Sequence, residues 1–482
     1  MDKFLKGKLI GELEKILGPG NILHRGGEVA VYEYDASEER GKPDIVVFVY
    51  STDQVSKVVK LASREGVPFV ARGSGTGLSG GAVAARGGIV IEMSRMSKIL
   101  EIDIPNQRAF VQPGVVNMAL QNALSPYGFL YAPDPSSQIA SSLGGNMAEN
   151  AGGPHCLKYG VTTNHILGLE VVLPDGEVVE LGGKALDMPG YDLVGIMVGS
   201  EGTLGITTKL IVRIIPKQEA VKTMLAIFDA AEGACQAVSD IIKSGIVPAT
   251  IEMIDHTFIQ AVEAYIHAGY PKDAEVVLLI ELDGLKDEME RLSGCIADIC
   301  KSNNVREMKV AQTESEREQL WVGRKKAYGS IARISRSRVI DDIVVPRTRL
   351  PEMMRRAVEI GRKHSLLVGN IAHAGDGNLH PVVFYDDAIP GQKEKAFTAA
   401  REILNACAEL EGTISGEHGI GLDKIKAMPL VLSREDMEAM MKIKKAFDPD
   451  DLCNPGKIFP ADVYSKVVAS QWNLNGMKVR TK

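Results

Sequence analysis

The chain has 482 residues, 45% of them hydrophobic, which is enough for two or three cores and too much for one ordinary domain. A net charge of -7 gives no broad basic field for nucleic acid, and no run of about 18 apolar residues is present to span a membrane. The amino terminus lacks the apolar stretch of a signal peptide, and the six cysteines show no Cys-x-x-Cys spacing, so a cytoplasmic protein with reduced thiols is expected.

Residues 8–18 place Leu9, Ile10, Leu13, Ile16 and Leu17 at helical spacing and stop at Gly18-Pro19-Gly20. Residues 43–49 then read as a strand, 52–65 as an amphipathic helix capped by Thr52, and 67–71 as a second strand. This β-α-β unit feeds Gly73-Ser74-Gly75-Thr76-Gly77-Leu78-Ser79-Gly80-Gly81, five glycines in nine positions. Backbone N–H groups in such a stretch can turn inward on an anion, and a diphosphate would fit. Gly75-x-Gly77-x-x-Gly80 also satisfies the dinucleotide fingerprint, but the helix that fingerprint requires does not follow. Residues 84–88 read as a turn and 89–93 as a strand, so the match to a Rossmann site is weak.

Strands over 99–102 and 109–111 precede Pro113-Gly114, and a helix over 117–124 follows. Residues 131–153 show almost no regular periodicity, and their Gly, Ser and Asn content suits close approach to a planar cofactor. His155, just beyond, reads as an ordinary polar loop residue. Residues 166–173 and 178–181 form a hairpin around Asp175-Gly176, 210–215 close the region, and Pro216 marks a boundary. Strands and helices then alternate from 223 to 302, the pattern of a βαβ-rich domain. Residues 314–334 read as one long helix with Arg324 and Tyr328 on one face, which by itself suits a solvated basic helix. A strand over 366–371 runs directly to His373.

His373-Ala374-Gly375-Asp376-Gly377-Asn378-Leu379-His380 sets two imidazoles seven positions apart across a tight turn. Ser415-Gly416-Glu417-His418-Gly419 offers a carboxylate and a third histidine on a second loop. Two histidines and a glutamate with open positions suit a catalytic divalent ion such as Zn2+ or Fe2+.

Several segments in order resemble a known superfamily. Leu78 to Gly81 is similar to the pyrophosphate loop of the flavoenzymes that include vanillyl-alcohol oxidase and p-cresol methylhydroxylase. The likeness continues through Pro133-Asp134-Pro135, Ser141-Ser142-Leu143-Gly144-Gly145-Asn146, Asn150-Ala151-Gly152-Gly153 and Gly199-Ser200-Glu201-Gly202-Thr203-Leu204-Gly205-Ile206. With the two histidine loops and Asn454-Pro455-Gly456-Lys457, residues 43–460 resemble the FAD-linked D-2-hydroxy-acid dehydrogenases, the group of D-lactate dehydrogenases and the flavoprotein component of glycolate oxidase.

That resemblance implies an α+β fold: a two-subdomain FAD-binding domain of the p-cresol methylhydroxylase type over 1–216 and a βαβ-rich cap over 217–410. A segment over 411–460 would return to the flavin site, with a tail over 461–482. FAD contacts would come from Arg72, Gly73, Ser74, Gly75, Thr76, Gly77, Pro133, Asp134, Ser141, Gly144, Gly145, Asn146, Ala151, Gly152, Glu201, Gly205, Ile206 and Asn454. His373, His380 and Glu417 would bind the metal, His418 would be the base, and Arg324 would grip the substrate carboxylate. Relatives acting on dicarboxylic acids can carry a lysine where this chain reads Val339-Ile340-Asp341-Asp342, so a small monocarboxylate such as D-lactate or glycolate is expected. Electrons would pass to a protein acceptor, an electron-transferring flavoprotein or a separate iron–sulfur subunit. Two rival readings each leave something over. A flavin-free metal-dependent hydrolase has no use for the glycine segments, and a non-catalytic flavin subunit of a glycolate oxidase-type complex has none for the histidine loops.

Overall fold

Ile45–Phe48, Ile89–Glu92 and Phe69–Arg72 are runs of apolar residues with little alternation, as strands buried on both faces require, and they pair in parallel. In the computed structural model, which describes residues 1–185 and 189–464, they form a four-stranded sheet edged by Ile22–Leu23. The remainder of the tail segment, from 465 onward, lies outside the described residues. The helix Thr52–Arg64 crosses this sheet on Val55, Val58, Val59 and Leu61. Its cap is Ser51, not Thr52: Ser51 has extended backbone and its Oγ accepts from Gln54 N at 3.3 Å. The first helix, Lys3–Leu17, starts earlier than its apolar spacing suggests because Asp2 caps it.

A second, antiparallel sheet follows in the order Ile99–Asp103, Arg108–Val111, Ile206–Arg213, Ile166–Val172, Val178–Gly182. The stretch over 131–153 is not all loop. Leu143–Glu149 is a helix capped by Ser142 and ended by Asn150 in the left-handed conformation. Seven residues that include two glycines are too few to show helical periodicity, yet Leu143 and Met147 anchor it in the core of this sheet.

Beyond Pro216 the chain builds an eight-stranded sheet, paired antiparallel throughout, whose main path runs Glu307–Val310, Ala220–Phe228, Val276–Gly284, Thr250–Asp255, Leu367–His373, Asn378–Tyr385, Ser337–Ile340. The expected alternation of strand and helix is present in split form, because Val276–Gly284 lies between Ala220–Phe228 and Thr250–Asp255. Helices Ala231–Lys243, Met289–Ser302, Leu350–Lys363 and Gln392–Glu409 cover one face, and His256–Tyr265 packs on the other. The long helix expected over 314–334 breaks. Glu314–Lys325 ends where Lys326 leaves helical geometry, and Ala327–Ser330 is a separate turn.

Residues 411–457 return to the first sheet. Leu422 N donates to Ser79 O, Phe69 N to Leu452 O and Asn454 N to Phe69 O, each at 2.8 Å. The third sheet is thereby held over the first two.

Candidate active site

Phe69–Arg72 ends at the glycine-rich loop, and Arg72 folds back beneath it, buried, with its Nε 3.9 Å from Glu92 Oε2. Gly75 sits over this guanidinium at φ +67°, a left-handed position where a Cβ would both strain the backbone and strike the Arg72 side chain. The far side of the loop is tied to the end of the chain. Asn454 Nδ2 donates to Gly81 O (2.9 Å) and Glu201 O (2.7 Å), and Lys457 Nζ to Val83 O (2.7 Å) and Gly81 O (3.2 Å).

His373 and His380 lie on paired antiparallel strands, with His373 opposite Asn378 and Ile371 opposite His380. Residues 378 and 380 share a face, so the two imidazoles project together from the hairpin. Their Nε2 atoms stand 3.3 and 3.4 Å from a single oxygen, Glu417 Oε1. Each ring has a buried carboxylate behind it: His373 Nδ1 is 2.8 Å from Glu252 Oε1, and His380 Nδ1 is 3.7 Å from Asp342 Oδ1. A carboxylate behind an imidazole is the arrangement that orients metal-ligating histidines. Donors bonded to one ion at about 2.0–2.1 Å in a tetrahedron would be about 3.3–3.4 Å apart, so the spacing to Glu417 fits a metal.

Glu252 and Asp342 do not stand out in the sequence. Glu252 lies in Thr250–Asp255, fully buried, and its Oε2 is 2.6 Å from Arg324 Nε at an angle that makes a charge contact, not a hydrogen bond. Burial alone would raise its pKa, but the Arg324 guanidinium and the His373 imidazole outweigh that and hold it at about 2. Asp342 Oδ2 accepts from Ser415 Oγ, Gly416 N, Glu417 N and His418 N, all within 2.9–3.0 Å, so one oxygen shapes the loop that carries Glu417 and His418. Burial opposes this charge as well, and Lys424, 3.8 Å from Oδ2, with the N–H donors of the loop outweighs it and holds the carboxyl well below the usual range. Asp342, His380 and His418 form a second group of possible metal donors, in which Asp342 Oδ2 is saturated but Oδ1 has no hydrogen-bond partner among the described residues. The signal for both acids was an acidic residue inside an apolar stretch, Glu252 in Ile251 to Ile254 and Asp342 between Ile340 and Ile343.

The ring of His418 stacks on His380 with centroids 5.3 Å apart. Burial pushes its pKa down to about 4, so the imidazole is neutral at ordinary pH. Asp342 faces its Nδ1 at 4.0 Å.

One cavity of ≈ 550 Å³ joins these parts. Gly73, Ser74, Gly75, Thr76 and Gly77 line one part, with Ser141, Gly144, Gly145, Asn146, Ala151, Glu201, Gly205 and Ile206. Arg324, His373, His380, Glu417 and His418 line another. Ser141 Oγ and Asn146 Nδ2 are buried on this wall without a hydrogen-bond partner among the described residues, as befits a wall that meets a polar, elongated ligand such as FAD.

Arg72, Pro133, Asp134, Gly152 and Asn454 stand behind the wall. Pro133 O accepts from Asn117 Nδ2, Gly152 lies against Glu417, and Asp134 pairs with His155 at 2.7 Å. His155 is more than a loop residue. Its ring stacks on Trp321, and its Nε2 lies 3.7 Å from Glu281 of the third sheet. Lys325 and Arg338 also line the cavity, so cations are present although the sequence shows no lysine over 339–342.

Residues 43–182 match the family model described as FAD binding domain, and 217–458 match FAD linked oxidases, C-terminal domain. The chain is 45% identical to glycolate oxidase subunit GlcD of Escherichia coli (strain K12), over 92% of this chain and 89% of that protein. It is 41% identical to glycolate oxidase subunit GlcD of Bacillus subtilis (strain 168), over 95% and 98%, and 32% identical to D-lactate dehydrogenase of Anaerostipes hadrus, over 89% and 91%. Among solved structures, p-cresol methylhydroxylase with substrate bound superposes with a TM-score of 0.79 at 16% identity, covering 96% of this chain and 98% of that one. This last likeness is one of fold.

Proposed function

The chain belongs to the FAD-linked oxidase family, and from that premise we propose that it oxidises a small D-2-hydroxy acid, D-lactate or glycolate, to the 2-oxo acid with the help of a divalent metal. The observation that carries this reading is the cavity shared by the glycine loop and the residues Arg324, His373, His380, Glu417 and His418. When bound, FAD would take up the two electrons of the C2–H bond, and Zn2+ or Fe2+ held by His373, His380 and Glu417 would polarise the substrate oxygens.

The chain's own residues supply the rest. Arg324, buried and held by Glu252, offers its remaining N–H groups to the substrate carboxylate. His418, neutral at ordinary pH, removes the hydroxyl proton; with Nδ1 facing Asp342, Nε2 is the nitrogen open to it. Tyr328, whose buried hydroxyl lacks a partner among the described residues, lines the same region. The third sheet lines this end of the cavity with Ile340, His373 and His380.

Electrons then leave to a second protein, an electron-transferring flavoprotein or a separate iron–sulfur protein. The Escherichia coli and Bacillus subtilis relatives are each named as one subunit of an oxidase, which supports a protein acceptor. Among the described residues no cysteine joins a group able to hold a metal. No described helix is long and apolar enough to cross a membrane.

The test is anaerobic: purified holoprotein is mixed with D-lactate, glycolate, or a dicarboxylic 2-hydroxy acid while the flavin band is followed, and metal content is measured alongside. Bleaching by D-lactate or glycolate in metal-loaded protein supports the proposal, and full bleaching rates in metal-free protein would remove the ion from it. Faster bleaching by the dicarboxylic acid would favour a second reading, in which Lys325 and Arg338 hold the distal carboxylate. Supplying each candidate acceptor in turn identifies the electron route.

A further inference from the structure

The wall of the cavity carries a carboxyl group that neither the glycine motifs nor the metal cluster uses. Glu149 is the last residue of the helix Leu143–Glu149 and lines the cavity beside Glu201. The two carboxyls converge on Gly419, the residue after His418, where a Cβ would strike Glu149 Oε2 and come within 3.0 Å of Glu201 Oε1.

Their surroundings differ. Glu201 Oε1 accepts from Ile420 N at 2.7 Å and Oε2 from Gly421 N at 2.6 Å. Glu149 Oε2 is sealed from water without any hydrogen-bond partner among the described residues. Its remaining charged neighbours do not supply one: Asp35 is another acid, and Lys457 is spent on Gly81 O, Val83 O and Asn454 Oδ1. Two adjacent buried carboxyls cannot both ionise cheaply, and the charge settles where backbone donors stabilise it, on Glu201.

We propose that Glu149 is carried as a neutral carboxylic acid and hydrogen-bonds bound FAD in the part of the cavity next to His418. Its pKa is raised well above the ordinary carboxylate value, by burial first and then by Glu201 and Asp35, against Lys457. With Oε2 sealed against Gly419, Oε1 is the oxygen that can meet the flavin, and in a neutral acid it can carry the proton and donate, which a carboxylate cannot. The inference rests on FAD binding alone and is independent of the hydroxy-acid and metal assignments, so it stands or falls separately from them.

The experiment uses full-length apoprotein of the parent, Glu149→Gln and Glu149→Leu, titrated with FAD by fluorescence, with the visible flavin spectrum recorded at saturation. Glu149→Leu keeps the volume but removes the hydrogen bond, and is expected to weaken FAD binding about tenfold or more and to displace the flavin band. Glu149→Gln keeps a neutral donor and acceptor and is expected to stay within about threefold of the parent, with the parent spectrum. Parent-like affinity and spectrum in Glu149→Leu would make the side chain mere filling and overturn the proposal. Glu149→Gln as weak as Glu149→Leu would show that the negative charge is needed, and would overturn it as well. If circular dichroism shows Glu149→Leu unfolded, Glu149→Gln decides alone on the same threefold criterion.

Discussion

The glycine loop and the histidine cluster share a cavity but are made differently. The loop is backbone: its residues are contiguous, and its side chains are mostly absent. The cluster is side chain, with ligand candidates from the 373–380 hairpin and the 415–419 loop, backed by Glu252 and Asp342 from two further segments. The loop needs conformational freedom, and the cluster needs charge balanced in a dry place. A mutation in one should therefore leave the other's ligand bound, and that independence is the comparison's sharpest consequence.

The largest separation is expected from His418→Ala. Anaerobic stopped-flow reduction should slow by about 100- to 10,000-fold, because a general base acts only in the chemical step. FAD absorbance and metal content should match the parent, and an unchanged rate would remove His418 from the proton transfer. Asp342→Asn comes next. With the buried charge gone, the loop carrying Glu417 and His418 loses its anchor, and metal affinity, read by titration with elemental analysis, should fall about 10- to 100-fold while FAD stays.

Gly75→Ala tests the opposite side. Strain at φ +67° together with contact on Arg72 should weaken FAD binding by about tenfold with full metal retained. Loss of metal in this variant would show that the two regions are coupled after all. Arg324→Lys should raise the dissociation constant for substrate several-fold, because an ammonium cannot reproduce a guanidinium held on one side by Glu252 and open on the other.

The smallest effect concerns pH. His418 in the folded chain has a pKa of about 4, below the 6.5 of an exposed imidazole, so between those values the unfolded chain binds the extra proton. Stability from this group is complete above about pH 6.5 and is lost as pH falls toward 4. The same shift keeps the base competent, so the flavin-reduction rate should show no inflection near pH 6.5. An inflection there would mean that His418 meets water.

What the sequence made legible follows the same division. A contiguous, glycine-dense loop is visible in one reading of the chain, and so are His373, His380, Glu417 and His418, which sit in short motifs. The Leu143–Glu149 helix was hidden by its length and its glycines, and the break at Lys326 has no proline or glycine at that residue to announce it. Glu252 and Asp342 were harder still. A buried acid is recognisable only through its partners, and Arg324, His373, Lys424 and the 416–418 amides lie dozens of residues away in sequence. Arg324 itself was visible as one of several basic residues on a helix, and Glu252 distinguishes it from its neighbours.

The ties from Asn454 and Lys457 to the glycine loop set an order of assembly during synthesis. Gly81 O waits for a donor 373 residues further on, and Phe69 for Leu452 and Asn454. While the ribosome is still making the third sheet, Gly81 O and Val83 O wait for Asn454 and Lys457, although Gly77 O and Gly80 O already have Ala36 N and Val83 N as donors. Loop closure over such a separation is slow compared with local helix formation. A nascent chain stopped between residues 411 and 452 would hold every strand of the third sheet beside a glycine loop that still lacks its braces. Removing residues 452–457 would take the braces from the glycine loop, and a cut that also removed Ile458, Phe459 and Val463 would open the core of the third sheet as well.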